Sequence, residues 1–246
     1  YLKSHGWLYS KDDNGYDVER ALYPEDLLGW IKDTQPEAWE RLKKFHNGKT
    51  ESVALDRLVK VMETESSLHA LRNGFKAAGA GASGFDVVQF APAHSFNPET
   101  KAAYDKIRLR VMRQVHYSAH NRNSIDLVLF VNGIPVATLE LKTDFTQGID
   151  DAKNQYKLDR NPKDPKTKHV EPLLQFKRGA LVHFAVSTSE VWMTTKLAGM
   201  DTFFLPFNKG FNGGKGNPPN KDGYQTAYLW EEILQKDQFL KILESF

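Results

Sequence analysis

No cysteine occurs among the 246 residues. That single absence excludes disulfides, thiolate zinc sites and cysteine nucleophiles together, and a reducing cytoplasm suits such a chain. Long apolar runs are also missing: nothing approaches the ~18 residues that a membrane helix needs, and the opening residues carry no signal-peptide pattern. Nor is there an excess of one charge, because 33 Lys+Arg stand against 31 Asp+Glu for a formal net charge of +2. Internal repeats are absent. Charged residues at 26% and hydrophobic residues at 40% exclude disorder, collagen and coiled coil. The length suits one large domain or two small ones with a sizeable core.

The first third reads as helix. Pro24 suits a first helical position, with Glu25 and Asp26 beside it and Leu27, Leu28 and Ile31 as a stripe. Pro36 to His46 repeats the pattern and ends at Asn47-Gly48, a left-handed cap. Residues 51–65 place Leu55, Leu58, Val59 and Met62 at helical spacing. From about residue 85 the pattern turns to strands. Phe85 to Phe90 is one; Ile107 to Tyr117 alternates, with Ile107, Leu109, Val111, Val115 and Tyr117 on one side. Ser124 to Val131 and Ile134 to Leu141 are two strong runs separated by Asn132-Gly133, the best hairpin signal in the chain. A helix over 146–160 stops at Asn161-Pro162. Ala180 to Ser187 and Val191 to Thr195 form another strand pair, followed by a Gly/Pro/Asn-rich loop over 208–223. The pattern predicts an α/β domain around a mixed central sheet flanked by helices, with a mainly helical part at 1–84, a sheet core at 85–207, and a loop and helix at 208–246.

Both ends read as cut. Leu2 to Trp7 looks like the end of a helix entering a turn at Gly6, and the apolar period from Leu229 to Phe246 has no terminator. The expectation is a fragment of a longer protein.

Local charge departs from the global balance. Residues 1–65 carry 10 basic and 13 acidic side chains, residues 101–125 six and one, and residues 153–178 eight and three. Two basic stretches thus flank the hairpin and the helix after it. Solvated surface is one reading; their placement around an acidic constellation favours a phosphate-binding rim.

That constellation is Asp126 near the start of one strand with Glu140 and Lys142 at the end of the next. Two carboxylates suit Mg²⁺, a hard ion with oxygen ligands that retains several waters. An ammonium beside them stabilises charge on a phosphoryl transition state. The tripeptide Asp/Glu-x-Lys alone is uninformative. It also occurs at Glu99-Lys101, Asp151-Lys153 and Asp164-Lys166, where solvated charge is the default. Register sharpens the claim: a strict two-residue turn pairs Val131 with Ile134 and puts Asp126 on the face opposite Glu140. A shared metal therefore requires a bulge, expected as a G1 type at Gly133, that brings Asp126 opposite Glu140.

Other chemistries fit less well. His116 and His120 are four apart but the first lies in a strand pattern, so no helical ligand pair forms. Gly213-Gly214-Lys215-Gly216 fails as a phosphate loop, since Lys209 replaces the first glycine and Gly216 stands where Ser or Thr should bind Mg²⁺. No serine-nucleophile motif is present.

The segments SIDLVLFVNGIPVATLELK, DAKNQYKLDRNP, LVHFAVSTSEVWMTTKLAGMDTFFLPFNKG and GNPPN…YLWEEIL resemble the N-terminal region of type I restriction endonuclease R subunits, over nearly the whole chain from HGWLYS to ILESF. The resemblance implies a restriction-endonuclease-like PD-(D/E)xK domain that cuts double-stranded DNA with Mg²⁺, or Mn²⁺ as substitute. It implies a complex with modification and specificity subunits, and ATP used only by motor domains beyond Phe246. Carried over by position, Asp126 and Glu140 match the metal-binding acids and Lys142 the catalytic lysine. Gln155 matches the glutamine of the QxxxY helix motif. Three departures stand out: Ile125 replaces the nominal proline, Asp159 holds the tyrosine position with Tyr156 as substitute, and a further acid on a first helix would fall before Tyr1. Arg108, Arg110, Lys157 and Arg160 are candidates for phosphate contacts, whose loss would weaken binding with a salt slope. The chain alone is expected to show no ATP hydrolysis; robust turnover by a clean preparation would contradict this. Two alternatives remain, a repair or recombination nuclease of the same fold and a silent DNA-binding or subunit-docking module.

Overall fold

A computed structural model describes residues 1–91, 97–143 and 148–245. Seven strands form one mixed sheet whose spatial order follows the sequence: β1 (Leu8–Ser10), β2 (Leu109–His116), β3 (Ser124–Val131), β4 (Ile134–Leu141), β5 (Val182–Val186), β6 (Val191–Thr194) and β7 (Leu205–Pro206). Neighbours are antiparallel except β1–β2 and β4–β5, which are parallel. A parallel neighbour needs a crossover; between β4 and β5 the chain includes α6 (Ile149–Asp159).

The N-terminal helices are α1 (Pro24–Thr34), α2 (Pro36–His46), α3 (Thr50–Thr64) and α4 (Ser67–Asn73). Proline opens both α1 and α2, where the missing N–H costs nothing because that donor has no intrahelical partner. Their apolar stripes, with Leu27, Ile31, Leu42 and Leu58 fully buried, cover one sheet face together with α7 (Lys236–Ser245). Each such side chain contributes roughly 1.5–3 kcal/mol through water exclusion. The second face is covered by α6 and the chain around Leu173, Leu174 and Tyr117. α5 (Pro98–Asp105) completes the set.

The mixed sheet flanked by helices agrees with the predicted class and is compatible with a nuclease-like fold. Several details differ. The helical part contributes the edge strand β1, so the boundary at residue 84 does not separate helix from sheet. Leu2 to His5 is a single 3-10 turn capped by left-handed Gly6. Phe85 to Phe90 is not a strand. Only a bridge between Phe75 and Phe85 forms, and Asp86 instead receives side chains: Trp30 Nε1 and Gln35 Nε2 donate to its carbonyl, and its amide donates to Gln35 Oε1. Its apolar alternation serves the helical core, where Phe85 and Val87 are buried. The terminal apolar period is split into a π-helical turn at Leu229–Ile233 and α7. Phe246 and the predicted first turn of α6 (146 and 147) lie outside the described residues.

The β3–β4 hairpin carries the register. Asn132 and Gly133 have φ of 45° and 79°, the two positive values of a type I′ turn. Val131 pairs with Ile134 and Phe130 with Pro135, but Leu129 pairs with Ala137. The bulge expected at Gly133 therefore lies at Val136. One consequence is visible in the core, where Val136 and Ala137 both join the same cluster although they are adjacent.

Candidate active site

Beyond the bulge, Leu127 pairs with Leu139, so the next pair in register is Asp126 with Glu140. Leu139 packs against the helical cluster, which leaves Thr138 and Glu140 on the α6 face. Asp126 lies across from them with Oδ2 accepting from the Leu141 amide at 2.8 Å. Its Oδ1 accepts from Gln114 Nε2 at 3.2 Å, and Gln114 Oε1 in turn accepts from the Ser124 hydroxyl at 3.0 Å.

Gln114 was not legible as a site residue. Its φ of 49° is left-handed, a costly conformation for a side chain with a Cβ, and it sits within β2 opposite Asp126. The break flips the alternation read for 107–117: Leu109 and Val111 face the helical cluster, Met112 and Val115 the other. No residue type in this stretch announces it.

Glu140 is fully buried. Its Oε1 accepts from Arg160 Nε at 2.7 Å, and Oε2 is buried with no hydrogen-bond partner among the described residues. Burial pushes its carboxyl up to about 7; Arg160 pulls it down, and the Asp126 carboxylate beside it pushes it up again. Lys142 follows β4, half-buried, with its amide donating to the Val186 carbonyl at 2.9 Å. It stands two residues past Glu140, just beyond the end of β4.

Gln155 and Tyr156 sit on α6. Tyr156 is fully buried, its hydroxyl 2.8 Å from Thr138 Oγ1 and donating to the Phe184 carbonyl at 3.3 Å. Thr138 Oγ1 also lies 2.7 Å from His183 Nδ1, an imidazole whose burial lowers its pKa to about 3 and keeps it neutral. Tyr156 thus fastens α6 to β4 two residues before Glu140, and is not placed to touch DNA. Gln155 Oε1 is buried without a partner among the described residues.

Three of the four phosphate candidates are corrected. Arg110 forms a bidentate pair with Asp26 at 2.6 and 2.9 Å and lies over the Tyr23 ring. Arg108 reaches Asp33 Oδ2 at 2.6 Å, and Arg160 is held by Glu140. Each bridges the sheet to a helix or an adjoining strand, and none projects toward solvent as a free cation. Lys157 is half-buried on α6.

Among the described residues no group of three or more His, Asp or Glu is arranged to hold a metal. Mg²⁺ needs less, because it is commonly held by one or two carboxylates with water and substrate phosphate completing its shell. Neighbouring Asp126 and Glu140, with Oε2 of Glu140 unpaired among the described residues, fit that requirement.

The raised Glu140 pKa has a measurable sign. The folded state holds its proton up to about 7, above the ordinary 4.5, so stability is lost as pH climbs from 4.5 through 7. Glu140→Gln, which keeps an acceptor for Arg160, is expected to match the parent near pH 4.5 and exceed it by on the order of 3 kcal/mol at about pH 8 without metal. Urea unfolding at both pH values measures this; equal stabilities at about pH 8 would contradict it.

No curated protein matches the chain. Residues 1–202, from the first turn through β6, match the family described as Type I restriction enzyme R protein N terminus. With most of its length covered and a mixed sheet that presents paired carboxylates, the chain belongs to that family of type I restriction enzyme R protein N-termini.

Proposed function

We propose that the chain is the Mg²⁺-dependent endonuclease domain of the R subunit, hydrolysing phosphodiester bonds of double-stranded DNA on a PD-(D/E)xK-type site. The observation that carries this reading is the bulge at Val136, beyond which the Asp126 carboxylate accepts from the Leu141 amide next to Glu140, with Lys142 following in the chain. In this reading Asp126 and Glu140 hold Mg²⁺, which when bound supplies a Lewis acid and an acidified water. Lys142 places its ammonium beside the scissile phosphate and stabilises charge developing on it. Gln114 and the Leu141 amide aim the Asp126 carboxylate, Thr138 and Tyr156 anchor β4 to α6, and Lys157 offers a phosphate contact. Gln155 orders the site or touches DNA.

The proposal extends to the assembly. The domain works in the cytoplasm within a complex of modification and specificity subunits, and ATP-driven translocation is supplied by motor domains elsewhere in the subunit. No described helix is long and apolar enough to cross a membrane. Family membership favours this over a repair nuclease. The neighbouring Asp126 and Glu140 carboxylates favour it over a silent docking module.

Crystals soaked in Mn²⁺ test the reading directly. Anomalous density is expected between the Asp126 and Glu140 carboxylates. Density held by other groups, or none at saturating Mn²⁺, would defeat it.

A further inference from the structure

The proposed site leaves one charged group unexplained. Arg160, immediately after α6, is only 5% exposed and makes no contact that serves DNA. Its Nε donates to Glu140 Oε1 at 2.7 Å, and Nη2 donates to the Ser124 carbonyl at 2.8 Å. The guanidinium carbon lies 5.7 Å from the Tyr117 ring centre, and the Tyr117 hydroxyl donates to the Asp159 carbonyl at 2.8 Å. One planar fork therefore ties the residue after α6 to the start of β3 and the end of β4. Of Glu140's two oxygens it engages Oε1 and leaves Oε2 buried with no hydrogen-bond donor among the described residues.

We propose that Arg160 is a positioning residue for the metal site: it fixes the Glu140 carboxylate so that a single oxygen, Oε2, is offered to the divalent cation beside Asp126. The inference rests on the two-carboxylate reading above and deepens it. A guanidinium suits this task because its rigid fork spans two acceptors at once, which an ammonium on a flexible stem does not. Its charge also opposes a nearby cation, so the sign of the effect of removing it is informative. An arginine that merely neutralised Glu140 would release the carboxylate when removed, and the metal would bind more tightly. An arginine that aligns it would leave the carboxylate free to rotate and binding would weaken, as partners that orient metal ligands do by about 10–100-fold.

Titration calorimetry of the 246-residue chain with Mn²⁺ decides between these outcomes. Wild type, Arg160→Met, Arg160→Lys and Asp126→Asn are compared, with thermal unfolding in chelator as the check on folding. Arg160→Met is expected to weaken Mn²⁺ binding about 10–100-fold. Arg160→Lys is expected to weaken it less, since it keeps the cation but not both bonds. Should the methionine variant fail to fold, the lysine variant carries the test, with binding at least several-fold weaker than wild type. Lower melting with unchanged or tighter Mn²⁺ binding would show a structural or neutralising role and overturn the proposal. Absence of Mn²⁺ binding by wild type, or undiminished binding by Asp126→Asn, would defeat the metal site itself and the inference with it.

Discussion

Alanine in place of Asp126, Glu140 or Lys142 in the intact restriction complex is expected to abolish DNA cleavage while ATP-driven translocation continues. A loss of about 10²–10³-fold in cleavage rate follows from removing a group that stabilises transition-state charge in the proposed site. The three substitutions differ in what else they disturb. Lys142 follows β4 with only its backbone amide bonded among the described residues, so its replacement tests chemistry with the least structural cost. Asp126→Ala also strips the acceptor from the Leu141 amide and from Gln114; Asp126→Asn keeps one and serves as control. Glu140→Ala leaves the buried Arg160 Nε without its acceptor, a loss worth about 1–3 kcal/mol. Glu140→Gln is therefore the cleaner variant, because it removes the charge proposed to bind metal, keeps an acceptor for Arg160 and relieves the burial penalty that raises the carboxyl to about 7. It should be more stable than the parent and inactive, as expected where a charged group is kept at a cost for function. Linearisation of circular DNA reads cleavage and strand displacement reads translocation. Cleavage surviving all three substitutions would remove the site from consideration.

Much of this arrangement was legible from the chain because its signals are local. Asn132-Gly133 between two eight-residue apolar runs gives a hairpin whose limits agree with those observed, Ser124–Val131 and Ile134–Leu141. The same pattern showed that Asp126 and Glu140 would miss each other without a bulge. Where the bulge falls was not legible. The glycine that attracts the assignment is used by the type I′ turn, and the residue that supplies the extra position, Val136, is an ordinary β-branched strand former with no conformational mark. The arginines were misread for a related reason. Arg108, Arg110 and Arg160 sit in basic stretches, but their carboxylate partners Asp33, Asp26 and Glu140 lie 75, 84 and 20 residues away. Charge counted in a window does not see a partner that only the fold brings near. Phe85 to Phe90 failed because burial, which its apolar residues do report, was taken for strand pairing. Gln114 carries no signal, since its conformation is imposed by the strands around it.

The hairpin turn is also where stability and site geometry meet, and Gly133→Ala is expected to cost about 2–5 kcal/mol. Two effects add. Gly133 holds φ of 79°, a left-handed conformation that costs an L side chain roughly 1–2 kcal/mol. A Cβ there would also lie 2.2 Å from the Tyr23 carbonyl oxygen, 3.0 Å from the Leu27 amide nitrogen and 3.2 Å from the Leu27 Cβ. The closest obstruction is backbone, so it cannot rotate aside, and relief requires moving the start of α1. That end of α1 is not free to move. The Tyr23 amide donates to the Gly133 carbonyl at 2.8 Å, Asp26 grips Arg110, and Arg108 donates to the Asp26 carbonyl at 3.0 Å. On the other side of the turn Asn132 is fully buried. Its Oδ1 accepts from the Arg108 amide at 2.7 Å, and its Nδ2 donates to the Val87 carbonyl at 2.8 Å. Overlap that such surroundings absorb poorly adds about 1–3 kcal/mol. Gly216→Ala, where a Cβ meets nothing within 4 Å, is the matched control and should change stability by less than about 0.5 kcal/mol. Urea midpoints at constant slope measure both. Because the turn and the bulge together set which β4 residue faces Asp126, the folded fraction of the Gly133 variant should also bind Mn²⁺ more weakly than the parent. A Gly133→Ala protein within about 1 kcal/mol of the parent would mean that the start of α1 yields easily, and that the buried turn is not what holds the carboxylates in register.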